Sequence, residues 1–89
     1  TLTAAIAAHG MPSWIKMDIE GAEIDVIAGS RDVLREGLPH MVIDTSHVVG
    51  THTTAARVEA LLQEIGYTVR TEAPGGSQLT WAWRDTAAN

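Results

Sequence analysis

The sequence predicts an α/β domain built on a mostly parallel sheet that closes with a C-terminal antiparallel hairpin. Three observations carry this. Two short apolar runs, Trp14 to Ile19 and Met41 to Ile43, are separated by a stretch of helical periodicity. Strands separated by helices pair in parallel through right-handed crossovers. A second helical stretch, with Val58, Leu61, Leu62 and Ile65 on one face, leads into two further strand patterns, Tyr67 to Glu72 and Gln78 to Arg84. The turn between these, Ala73-Pro74-Gly75-Gly76-Ser77, is short enough for a hairpin.

Each element has a local cause. Thr1 or Thr3 can cap a short helix through Ala4 to Ala8, closed by Gly10. Pro12-Ser13 delivers the first strand, Trp14 to Ile19. Alternation puts Ile15, Met17 and Ile19 on one face and Lys16, Asp18 and Glu20 on the other. Gly21 permits a sharp turn, and Glu23 falls where a helix N-terminus favours negative charge. The helix that follows carries Ile24, Ile27, Ala28, Arg31 and Leu34 at helical spacing. Gly29-Ser30 is its weak point, where it is expected to break, and Gly37 and Pro39 end it.

His40 to Thr45 is the second strand. Its unbroken apolar centre suits a strand buried on both faces of a parallel sheet. Ser46 to Thr54 is expected as a loop holding His47, Gly50 and His52. Gly66 stops the next helix, and Asp85 to Asn89 is expected as a frayed tail.

Composition excludes several classes. Eighty-nine residues make one small domain, or part of one. The absence of cysteine removes disulfides and cysteine-based metal sites. A formal charge of −5, with only six dispersed Lys and Arg, argues against a nucleic-acid surface. No apolar run approaches membrane-spanning length, and Leu2 to Ala8 lacks the positive flank and cleavage pattern of a signal peptide. A cytoplasmic location is therefore expected.

Ligands in open α/β sheets bind outside the carboxyl ends of the strands. Asp18 and Glu20 stand at such an end. Two carboxylates there can hold a divalent metal, accept a substrate proton or bind cofactor hydroxyls. The plain alternative is a pair of polar residues capping the strand and the next helix. Asp44 ends the second strand in a comparable place. If the two strands are neighbours their ends lie about 5 Å apart, or roughly twice that if one strand intervenes, and Asp18 and Asp44 can then converge on one ion or one hydroxyl. Hydrogen bonds to backbone amides explain Asp44 equally well.

His47 follows that strand and can serve as a general base near neutral pH, or simply be solvated. His52 is a weaker candidate, and His9 and His40 read as surface residues. Lys16 either pairs with Asp18 or Glu20 or snorkels to solvent. Trp81 and Trp83 share one face of the last strand and read as packing.

The run Ile15-Lys16-Met17-Asp18-Ile19-Glu20-Gly21-Ala22-Glu23-Ile24-Asp25-Val26-Ile27-Ala28-Gly29 resembles the central signature of the FkbM family of S-adenosylmethionine-dependent methyltransferases. That signature is a hydrophobic strand with Lys, then Asp-x-Glu-Gly-x-Glu, a helix and a Gly. Thr1-Leu2-Thr3 resembles the segment leading into it. Met41-Val42-Ile43 with Asp44 and His47 resembles the next strand, which commonly ends in an acid with a His nearby. Thr3 stands where the family often has an acid, and Asp44 where Glu is more usual. The likeness is strong over residues 15 to 29 and weak after about residue 50.

The resemblance implies the second half of a Rossmann-like class I methyltransferase sheet, which ends in a reversed strand. Residues 1–89 would then be the C-terminal half of the domain, without its cofactor-binding N-terminal half. The implied reaction moves a methyl group from S-adenosylmethionine to a hydroxyl of a sugar or secondary metabolite. Asp18 would position or deprotonate this small-molecule acceptor with His47, Glu20 would lie on the cofactor side, and Asp18 with Asp44 forms the alternative metal pair. No glycine-rich loop of the cofactor-gripping kind is present, so this segment alone is expected to bind S-adenosylmethionine weakly and to be inactive. The rival expectation is a non-catalytic α/β remnant or interaction module, forming a homodimer through an exposed sheet edge.

Overall fold

The computed structural model describes residues 1–73 and 77–84. Helix α1 (Leu2–His9) starts where the Thr1 hydroxyl accepts the Ala4 N–H at 3.0 Å and ends at Gly10, whose φ is 91°. Strand β1 (Trp14–Met17) is followed by α2 (Glu23–Gly29) and α3 (Arg31–Gly37), so the helical stretch breaks at Ser30 as its composition predicts. Gly37 is the last residue of α3, and Leu38, not a glycine, takes the left-handed cap at φ 44°. Strand β2 (His40–Asp44) precedes a two-residue pair, β3 (Val48–Val49) and β4 (His52–Thr53). Helix α4 (Ala55–Ile65), β5 (Thr68–Glu72) and β6 (Leu79–Trp83) complete the described chain.

The main sheet has the order β1-β2-β6-β5. Only β1 and β2 pair in parallel; β6 is antiparallel to both β2 and β5. The expected mostly parallel sheet is thus corrected to one parallel and two antiparallel pairings. The crossover through α4 does return β5 in the direction of β1 and β2, but it lands one strand position too far out. The chain then folds back as β6, fills the gap, and reverses the pairing on both of its sides.

One face of this sheet carries the core. Met17, Met41, Ile43 and Ala82 pack there against Ile27 of α2, Leu34 of α3 and Val58, Leu61, Leu62 and Ile65 of α4. The opposite face holds the cross-strand row Lys16, Val42 and Trp81, and Trp81 remains 37% exposed. Strand β2 is therefore fully buried on one face only, against the expectation from its apolar run.

Other differences are local. The first strand stops at Met17, because the chain turns at Ile19, which is 39% exposed. The segment after β2 is pinned as the β3–β4 hairpin rather than running as a plain loop. His40 is half-buried, its ring 4.9 Å from that of Trp14 and tilted by 32°. Pro74 to Gly76 of the expected turn, and the expected tail from Asp85, lie outside the described residues. The Tyr67 hydroxyl donates to the Pro39 carbonyl at 2.6 Å, tying the start of β5 to the entry of β2. Burial pushes its ionisation well above the usual phenol range.

Candidate active site

Strand register builds the site. Met17 and Ile43 are Cα partners in the parallel pair, so Asp18 and Asp44 leave the sheet side by side at its carboxyl edge. Past Asp18 the chain reverses through Ile19 to Ala22, closed by the Ala22 N–H on the Ile19 carbonyl at 3.2 Å. Both central residues are left-handed, Glu20 at φ 53° and Gly21 at φ 98°, the φ pattern of a type I′ turn. Glycine adopts this freely, whereas a residue with a Cβ carries a cost of roughly 1–2 kcal/mol. The turn delivers Glu23 as the first residue of α2 and seats Gly21 beside the β3–β4 hairpin. A Cβ there would lie 3.7 Å from Val49 Cγ2 and 4.0 Å from His47 Cβ.

Glu23 is fully buried. Its Oε1 lies 2.5 Å from His47 Nδ1, and its Oε2 is buried with no partner among the described residues. His47 sits at the base of the β3–β4 hairpin, where its carbonyl accepts the Thr54 N–H at 3.0 Å. Its second nitrogen, Nε2, is 3.4 Å from Asp18 Oδ1. The imidazole thus stands between a buried and an exposed carboxylate. Asp44 Oδ1 accepts both the Ser46 hydroxyl, at 2.5 Å, and the Ser46 N–H, at 3.0 Å.

These contacts tune the two groups in opposite senses. The hydrogen bond to Glu23 holds His47 above the ordinary imidazole value; burial works against it, and the charges of Glu23, Asp44 and Asp18 add to it. The Ser46 hydroxyl, then its amide, hold Asp44 below the usual carboxylate range.

Asp18, Asp44 and His47 each offer one donor atom within 4.8 Å of the others. Sequence reasoning named all three, and the fold brings them together. Glu20 does not join them; it is exposed, and its backbone makes the turn. Lys16 is exposed and makes no ion pair among the described residues, and His52 is exposed on β4. Glu23 was missed as a site residue. Its signal was present: Glu23, Ile27 and Leu34 extend one buried helical stripe backward by a turn.

Two oxygens and one imidazole nitrogen form a donor set that suits a divalent cation, with Glu23 ordering the histidine from behind. A whole S-adenosylmethionine is less well served. Among the described residues the glycines at positive φ stand singly, at Gly10, Gly21, Gly50 and Gly66, and of these only Gly21 follows a strand and leads into a helix. No multi-glycine cradle for the cofactor is formed among the described residues.

A family model for the methyltransferase FkbM domain matches residues 2–69. Comparison with curated proteins and with solved structures gives no match. The matched span includes β1, the Glu20-Gly21 turn, Glu23, Asp44 and His47, and it covers well over half of the sequence. With every converging residue inside that span, the chain belongs to the FkbM methyltransferase domain family.

Proposed function

We propose that this site handles the acceptor side of methyl transfer from S-adenosylmethionine to a hydroxyl oxygen, within a Rossmann-like class I methyltransferase. The observation that carries the reading is His47, held by a buried carboxylate with its Nε2 turned to Asp18 at the end of two adjacent parallel strands. The acceptor hydroxyl binds at this edge. Asp18, with its side chain 61% exposed, orients it, and His47 Nε2 receives its proton. S-adenosylmethionine, when bound, supplies an electrophilic methyl group. Glu20, exposed in the adjoining turn, faces the cofactor side in this reading. The acceptor class that suits such acid–base chemistry is a small hydroxylated molecule, a sugar or a secondary metabolite.

The convergence of Asp18, Asp44 and His47 supports a second reading. A divalent cation held by these three would supply Lewis acidity to an acceptor hydroxyl. Chelation followed by Mg²⁺ or Mn²⁺ addition separates the two: metal-restored turnover selects the second, and chelator-resistant turnover the first.

The deciding assay, run on the complete methyltransferase domain to which this segment is proposed to belong, follows label from [methyl-³H]S-adenosylmethionine into a panel of hydroxyl acceptors. His47→Gln is expected to lower turnover by roughly 10²–10⁴-fold, and Asp18→Asn to lower it without loss of fold. Unchanged turnover in both variants would sink the assignment.

A further inference from the structure

Glu23 is the one fully buried carboxylate of the described chain, and neither the acceptor chemistry nor the core accounts for it. Burying a carboxylate is costly unless it is paired, and replacing a whole buried pair by apolar groups is often neutral or stabilising. Among the described residues Glu23 has one partner, the His47 ring, and a second oxygen with none. A group so placed does little for stability and a great deal to the ring it touches.

We propose that Glu23 is a positioning residue that fixes the His47 tautomer. A carboxylate only accepts hydrogen bonds, so the Nδ1 atom facing Glu23 Oε1 carries the proton. In the neutral ring, Nε2 is then left as a lone pair. That lone pair points to the strand edge, where Asp18 Oδ1 stands 3.4 Å away. Free histidine prefers the opposite tautomer, with the proton on Nε2, in which the nitrogen facing the site could accept nothing. Glu23 therefore inverts an intrinsic preference and turns a donor into an acceptor where a hydroxyl proton must be received. Three elements lock the geometry. The Glu20-Gly21 turn sets the start of α2, Ile27 anchors the same helical stripe in the core, and the hairpin base holds the His47 backbone.

This inference rests on the acceptor-side reading above, and its test separates the two. The full chain, labelled with [¹⁵N]histidine, is examined by imidazole NMR at a pH where His47 is neutral. The His47 signals are identified by their loss in His47→Gln. The expected spectrum shows Nδ1 protonated and Nε2 bare. In Glu23→Gln, whose amide can donate as well as accept, His47 shifts toward the Nε2-protonated form. Methyl transfer by that variant falls roughly ten- to a hundredfold in kcat with little change in KM, the scale seen when a partner behind a histidine is lost. A wild-type His47 protonated on Nε2 overturns the proposal even if the variant fails to fold. So does a Glu23→Gln variant with unaltered tautomer and kcat. Absence of methyl transfer by the complete wild-type methyltransferase domain, beside an Nδ1-protonated His47, overturns the reaction assigned above and leaves the role of Glu23 standing.

Discussion

Two hydrogen-bonded carboxylates pack between helix and sheet in this molecule, and they are opposites. Glu59, on α4, accepts the Thr71 hydroxyl at 2.7 Å. Since each hydroxyl has one proton, Thr80 must donate to Thr71 at 2.7 Å, and Thr45 to Thr80 at 3.0 Å. The chain runs across β5, β6 and the end of β2, and every member is satisfied. Glu23 contacts a single titratable ring and leaves its second oxygen orphaned. A network that is complete and contains no histidine holds strands together. One that is incomplete and ends on a histidine at the sheet's open edge is built for a ligand.

Breaking the two networks should therefore give opposite phenotypes. The largest effect is that of His47→Gln on turnover. Its counterpart, Thr80→Val, strands the Thr45 hydroxyl and removes the donor to Thr71 in a largely buried chain, and should cost about 1–3 kcal/mol. That loss reads out as a lower urea midpoint, with turnover per folded molecule unchanged. Glu23→Gln, which keeps the shape and an acceptor beside the ring, should slow turnover while moving the midpoint less than Thr80→Val does. A large fall in midpoint for Glu23→Gln would make the two networks alike and remove the contrast.

Smaller effects sharpen the comparison at the turn that serves Glu23. Gly21→Ala places a Cβ at φ 98° and should cost about 1 kcal/mol or more. It also shifts the Asp18–His47 spacing, so turnover falls with stability. Glu20→Asn suits the left-handed backbone better and should gain a few tenths of a kcal/mol. It also removes a carboxylate on the proposed cofactor side, so S-adenosylmethionine affinity, measured by calorimetry, weakens; unchanged affinity confines Glu20 to the turn.

The smallest effect on turnover lies far from the site. Tyr67 ionises above its unfolded value near 10. Its contribution is fully present below about pH 10 and is lost as pH rises beyond it. Tyr67→Phe, which loses the hydrogen bond to Pro39, should cost about 1 kcal/mol at pH 7. The variant should then show a flatter decline between pH 9 and 11.

Much of the fold was legible in local pattern. The alternation in β1, the amphipathic stripe of α4 and the break at Gly29-Ser30 all act within a turn or two of chain. The meeting of Asp18 and Asp44 was legible too, because both end apolar runs and strand spacing does the rest. Sheet order was not. Whether β5 sits beside β2 or one place beyond is decided by the fit of β6 between them, and β6 lies some 35 residues further along the chain than β2. Glu23 was hidden for a different reason. Charge at a helix N-terminus reads as exposed capping, and only the stripe through Ile27 and Leu34 marks it as inward-facing.

The account stands or falls on turnover and stability in His47→Gln and Thr80→Val, compared side by side in one methyl-transfer assay. It predicts that His47→Gln nearly abolishes transfer by the molecules that are folded, while Thr80→Val melts earlier and, when folded, transfers at the wild-type rate. Equal losses of rate in both variants, or full activity in His47→Gln, would contradict it.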